Sequence, residues 1–168
     1  MTADIDVAVG RDDPTSDRTL VHRLRLGLIA VAAITVFGTA VELAFQRHWT
    51  EPVQFVAWAA LLALSVAIAL LVREPDRRSV RAARAIVFVV GAAALLGFLE
   101  HVKGNYEAGP LDAVYGDQWN TLAMTSKFWL ALTQGVGPSP ALAPGVLVQA
   151  ALCLWIATIG LAAADPVP

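Results

Sequence analysis

Four stretches of about twenty apolar residues, nearly free of charged side chains, constrain this chain more than any other feature. They cover approximately residues 26–46, 53–72, 85–102 and 141–164. An α-helix rises 1.5 Å per residue, so a stretch of this length crosses a hydrocarbon core about 30 Å thick. The stretches do not alternate apolar and polar residues, which excludes the strands of a membrane barrel. The sequence therefore predicts an all-α membrane protein built as a four-transmembrane-helix bundle.

The composition agrees with this class. The 168 residues are 57% hydrophobic and 15% charged, whereas soluble domains carry about 25% charged residues. Arginine far outnumbers lysine and alanine is abundant, a bias typical of GC-rich bacterial genomes. We therefore expect a multi-pass protein of a bacterial inner membrane.

The distribution of cations predicts the orientation of the spans. Nine arginines flank the spans on one side, against three cations on the other. The first group is Arg11, Arg18, Arg23, Arg25, Arg73, Arg77, Arg78, Arg81 and Arg84, and the second is Arg47, Lys103 and Lys127. Because cytoplasmic loops carry the excess of Lys and Arg, both termini are predicted to be cytoplasmic and the 103–140 loop extracytoplasmic.

Three regions follow from these patterns. Residues 1–17 form an acidic tail that cannot bury apolar surface, so we expect this tail to be disordered. Residues 18–164 form the membrane domain, and residues 165–168 a short C-terminal tail. The first apolar stretch is longer than the core of a signal peptide, so it is expected to remain as an anchor.

The outer loop, residues 103–140, contains turn signals followed by a second helical pattern. Asp117 is a plausible N-cap for a helix that extends to about Thr133. One face of this helix would carry Trp119, Leu122, Ala123, Ser126, Trp129 and Leu130. Such a helix is predicted to lie in the outer membrane interface, and a re-entrant hairpin is the alternative.

Small residues recur at helical spacing in two of the spans. The second span carries Ala59, Ala63 and Ala67, and the fourth carries Gly145, Gln149 and Cys153. Small residues let helices approach closely in lipid, and an intramembrane amide needs a hydrogen-bonding partner. Both rows are therefore predicted to be helix-packing surfaces.

Polar residues near the outer ends of the first and third spans form the candidate ligand or proton site. These residues are Glu42, Glu100, His101 and Asn105. A carboxylate inside a membrane is costly and marks a function by default, so Glu42 and His101 are predicted to share one site. His48, His101 and Glu42 are also weak candidates for metal ligands, because no standard metal-binding spacing occurs around them.

Several function classes are excluded or disfavoured. A net charge of −2 is unsuited to a nucleic-acid partner. The single cysteine, Cys153, excludes an internal disulfide and a Cys-x-x-Cys redox pair. No nucleophile elbow, Walker or dinucleotide motif occurs, so neither a catalytic residue nor a cofactor is predicted.

The most plausible function at this level is that of a structural or accessory membrane subunit. It would act through helix packing with a partner in the lipid bilayer, either another membrane protein or a second copy of itself. The alternative is a small transporter or sensor that binds a proton, a cation or a small polar ligand at the outer Glu/His site. A membrane enzyme acting on a lipid or a quinone is the third possibility.

Overall fold

The computed structural model describes residues 14–50, 52–73 and 75–161, and all regular elements in these ranges are helical. The five α-helices are α1 (Pro14–Phe45), α2 (Phe55–Val72), α3 (Arg77–Ala108), α4 (Met124–Leu132) and α5 (Ala143–Ala157). Short 3-10 helices occupy Pro52–Gln54, Gly109–Leu111 and Gly116–Thr121.

Three of these helices are long and apolar enough to cross a membrane. They lie within Ser16–Phe45, Pro52–Val72 and Arg77–Leu111, while α5 is a shorter apolar helix of 15 residues. The prediction of an all-helical fold with helices of membrane-spanning length and composition is therefore confirmed for three of the four predicted spans. Pro144 lies in the first turn of α5, where its missing N–H would be unpaired anyway.

The bundle places α1 and α3 at opposite corners. Each of them packs against both α2 and α5, so those two helices separate α1 from α3. Fully buried alanines, among them Ala32, Ala67 and Ala150, line the contacts between the helices. Leu64 and Leu154 fill the spaces that remain. In lipid such close packing, rather than burial from water, is what holds helices together.

The register between α3 and α5 is antiparallel. A methyl group added at Gly97 would lie 3.7 Å from Pro144, and one at Gly91 would lie 3.9 Å from Ala151. Farther along, the Arg84 side chain reaches Thr158, directly after α5. The segment from residue 141 to residue 158 therefore runs beside α3 from about residue 101 back to Arg84. At 1.5 Å per residue this shared length is about 25 Å.

The ends of the helices have recognisable caps. Asp76 is the N-cap of α3, and its Oδ1 accepts a 2.8 Å hydrogen bond from the N–H of Ser79. The hydroxyl and the backbone N–H of Ser79 hold the pKa of the Asp76 carboxyl below its usual value. At the end of α1, Arg47 has φ +50°, and the N–H of His48 donates to the Leu43 carbonyl at 2.9 Å. This is a Schellman motif with an arginine at the position that usually carries glycine.

Several helix boundaries differ from those predicted. Helix α3 begins at Arg77 rather than near residue 85, and α5 covers Ala143–Ala157 of the predicted span 141–164, of which residues 162–164 lie outside the described residues. Helix α1 begins at Pro14, so residues 14–17 of the expected acidic tail form its first turn, while residues 1–13 lie outside the described residues. Helix α3 continues through residues 103–108, which were predicted as loop. A single Gly104 does not end a helix, whereas Gly109 followed by Pro110 does.

The helix predicted from Asp117 to Thr133 is divided in two. A 3-10 helix ends at Thr121, the chain is extended at Leu122 and Ala123, and α4 begins at Met124. Asp117 does not cap it, because the 3-10 helix begins one residue earlier and has no side-chain cap. The break allows Trp119 to turn into the protein while α4 follows a separate direction.

Candidate functional site

Asn105 is the most completely bonded polar side chain near the C-terminal end of α3. It is fully buried, and its Nδ2 donates to the carbonyls of Ala131 at 3.0 Å and Ser139 at 2.7 Å. Its Oδ1 accepts from the N–H of Ser139 at 2.9 Å. Gly137, with φ +75°, passes so close that an added Cβ would collide with the amide. Both amide protons of Asn105 are thus bonded to backbone carbonyls of residues 131 and 139.

The segment 102–142, which we call the cap, has a small core of its own. Its buried residues are Val102, Trp119, Ala131, Val136 and Ala141. The Trp119 indole lies against Gly109, where any larger side chain would collide with it, and it meets the Tyr106 ring edge-on at 5.5 Å. The Lys127 ammonium lies 5.7 Å from the centre of the indole. The cap is therefore a folded unit attached to the last turns of α3.

The outward surface of the cap is rich in apolar side chains. Met124 is 72% exposed and Trp129 64% exposed, and Phe128 is also exposed. All three belong to α4, which packs against the end of α3. Large aromatic and thioether side chains presented in this way are typical of surfaces that meet a membrane interface or another protein.

The other residues of the predicted ligand site are not gathered around one point. Glu42 is exposed on α1 and accepts a 3.2 Å hydrogen bond from Gln46, one turn later. Glu100 is exposed on α3, and His101 beside it is half-buried. Glu42 and His101 belong to helices at opposite corners of the bundle. No hydrogen bond or ion pair joins these two side chains within the described residues.

His48 and His101 do lie near each other. Their imidazoles are close enough for the charge of one to act on the other. The main chain at His48 is held by Trp58, whose indole N–H donates to the His48 carbonyl at 2.7 Å. The weak metal candidates His48, His101 and Glu42 do not form a ligand set: among the residues that the structure describes, no three His, Cys, Asp or Glu side chains are placed to share a metal ion.

At the opposite end of the bundle, Arg84 joins α3 to the end of α5. Its Nε donates to the Thr158 hydroxyl at 2.9 Å and its guanidinium NH2 to the Thr158 carbonyl at 2.9 Å. The guanidinium also lies 5.9 Å from the centre of the Trp155 ring. A cation at this position satisfies carbonyls left free at a helix C-terminus. In the sequence Arg84 is recognisable only as one of the nine arginines that flank the spans on one side. The sequence does not reveal which helix end its side chain contacts.

The predicted packing rows are only partly directed at neighbouring helices. Ala67 is buried and Ala63 packs against the core, but Ala59 is exposed. On α5, Gly145 and Gln149 are exposed and Cys153 is half-buried. The face of α5 that meets the bundle consists instead of Leu147, Ala150, Ala151, Leu154 and Ala157.

Neither a protein-family model, nor a curated protein, nor a solved structure matches this chain.

Proposed function

We propose that this protein is a structural or accessory subunit of a bacterial inner membrane, and that it acts by packing against a partner protein. The observation that carries the proposal is the construction of the cap. Asn105, one of the four residues of the predicted ligand site, uses its amide to fold the cap. What the cap presents outward is an apolar surface formed by Met124, Phe128 and Trp129. A surface of this kind suits contact with a protein at the membrane boundary.

The proposal includes four membrane spans with both termini in the cytoplasm. The antiparallel register supports α5 as the fourth span, because its contacts with α3 extend from Gly97 to Arg84. With the turns at its two ends, α5 approaches the thickness of a hydrocarbon core, about 30 Å. The excess of arginine beside Arg84 supports a cytoplasmic location for that end and an extracytoplasmic location for the cap.

A small transporter or sensor remains the second candidate, and one observation favours it. His48 and His101 lie near each other at the cap end, and imidazole is the side chain that most commonly exchanges a proton near neutral pH. Glu42 and His101 belong to helices at opposite corners of the bundle, so the Glu42 carboxylate does not complete this histidine site.

Affinity purification in a mild detergent tests the proposed role. The tagged full-length chain should bring down a partner at a fixed stoichiometry, and the double variant Phe128→Ala/Trp129→Ala should lose that partner. Phe88→Ala is the matched control, because this aromatic side chain is similarly exposed but lies in the middle of α3. A wild-type chain that brings down no stoichiometric partner, or equal losses in the two variants, would contradict the proposal.

A further inference from the structure

The side chain of Gln149 is a polar group on the outward side of an apolar helix. It is exposed, and it forms no hydrogen bond with the described part of the chain. The contacts of Gly97 with Pro144 and of Gly91 with Ala151 place Gln149 level with about residue 93 of α3. Residue 93 lies midway between Arg84 and Val102. If α5 is the fourth span, as proposed above, the amide of Gln149 lies near the middle of the bilayer.

An amide in that position needs a partner from outside the chain. Hydrocarbon offers no hydrogen bonds, so an unpaired polar group at this depth is unfavourable. Ser65 is exposed on α2, but its hydroxyl is not left unpaired, because it donates to the Leu61 carbonyl of its own helix at 2.8 Å. Gln149 has no such bond within the described ranges, and the helices that flank α5 meet its other side.

The surroundings of Gln149 suit the close approach of another helix. Gly145, one turn earlier on the same side of α5, would have no atom within 4 Å of an added Cβ. Leu152 and Ile156 continue this exposed side toward the end of the helix. We call these four residues the free face of α5. A glycine one turn from an amide allows two backbones to approach until the amide reaches a partner.

We propose that the free face of α5 binds the same face of a second copy of this chain. All copies enter a membrane in one orientation, so a two-fold axis along the membrane normal brings each residue to the depth of its own counterpart. An amide carries both donors and an acceptor, so two Gln149 side chains can satisfy each other across that axis. A second copy therefore supplies, at the right depth, the group that Gln149 lacks.

Fluorescence energy transfer in vesicles tests the dimer directly. The full-length chain, with Cys153→Ala and a label at Ala113→Cys on the exposed cap, is reconstituted into phosphatidylcholine–phosphatidylglycerol vesicles over a range of protein-to-lipid ratios. We expect the parent chain to associate, and Gln149→Leu to weaken association by about tenfold. Gln149→Asn, which keeps the amide, should retain most of it. Gln46→Leu is the matched control, since it removes an exposed amide at the end of α1.

Disulfide trapping provides a second measurement that does not depend on Gln149 variants. In the Cys153→Ala background, Leu152→Cys and Ile156→Cys should form dimers under mild oxidation, whereas Leu62→Cys, exposed on α2, should not. The dimer proposal is overturned by a parent chain that is monomeric at every ratio. Association that Gln149→Leu leaves unchanged, or equal trapping at all three positions, overturns it as well. A monomeric chain that still purifies with a different stoichiometric protein would overturn the dimer and leave the accessory role standing.

Discussion

Replacing Arg84 with methionine tests whether the contact between α3 and the end of α5 stabilises the bundle. The wild-type side chain makes two 2.9 Å hydrogen bonds to Thr158 and lies over the Trp155 ring. Hydrogen bonds that involve a charged group contribute about 1.5–3 kcal/mol each, and a cation–π contact about 0.5–1 kcal/mol. Because all these contacts share one side chain, and methionine keeps its aliphatic packing, we expect a net loss of about 3 kcal/mol rather than their sum.

The loss should be visible in thermal unfolding followed by circular dichroism in detergent. For a chain of this size, 1 kcal/mol corresponds to about 2–4 °C in Tm, so Arg84→Met should lower Tm by about 6–12 °C. Arg81→Met is the matched control, one turn earlier on α3, where the exposed arginine bonds, among the residues that the structure describes, to the Arg77 carbonyl of its own helix. The control should shift Tm by about 2 °C or less.

A double-mutant cycle identifies the partner. Combining Arg84→Met with Thr158→Val should cost less than the sum of the two single changes, with a coupling of about 1–2 kcal/mol. If Arg84→Met lowers Tm no more than Arg81→Met does, the argument that this arginine fastens α5 to α3 is refuted. If the losses from Arg84→Met and Thr158→Val are fully additive, the stabilisation by Arg84 does not depend on the Thr158 side chain.

Three further changes test separate parts of the account. Asn105→Ala removes three buried hydrogen bonds and should destabilise the cap by about 3 kcal/mol, and limited proteolysis should then cut within residues 109–142 sooner than in the wild-type chain. Arg47→Gly removes a side chain from a backbone with φ +50° and should raise the free energy of unfolding by about 1 kcal/mol, measured as a higher Tm. Because the folded pKa of Asp76 is lowered from 3.8, its capping contribution is present above 3.8 and is lost as pH falls through the lower folded value. The Tm difference between wild type and Asp76→Ala should therefore be constant near neutral pH and disappear at strongly acidic pH, and an unchanged difference there would contradict the capping role.

The fold class could be predicted from the sequence because it depends on local composition. A run of apolar residues predicts an apolar helix whatever lies around it, and three of the four runs form helices long enough to cross a membrane. Helix ends were harder to predict, because the residues around a turn-forming residue decide whether the helix continues through it or ends there. Gly104 looked like a turn signal, yet α3 passes through it and ends only at Gly109 and Pro110.

Long-range contacts explain why the candidate site could not be assembled from sequence. Asn105 bonds to residues 26 and 34 positions away, and no periodicity in α3 reveals that. The row through Gly145 and Gln149 was visible, but the direction it faces depends on how α5 packs between α1 and α3. The separation of Glu42 from His101 has the same origin, since chain order does not determine which helices are diagonal.

The accessibility of single cysteines to a thiol reagent tests the proposed arrangement of the spans. In the Cys153→Ala background, cysteines are placed at Arg78, at Ala113 and at Asp165, and intact cells are treated with a membrane-impermeant thiol reagent. We expect labelling at position 113 alone, with positions 78 and 165 reacting only after the membrane is permeabilised. Labelling of position 165 from outside would show that α5 does not cross the membrane, and labelling of position 78 would reverse the orientation.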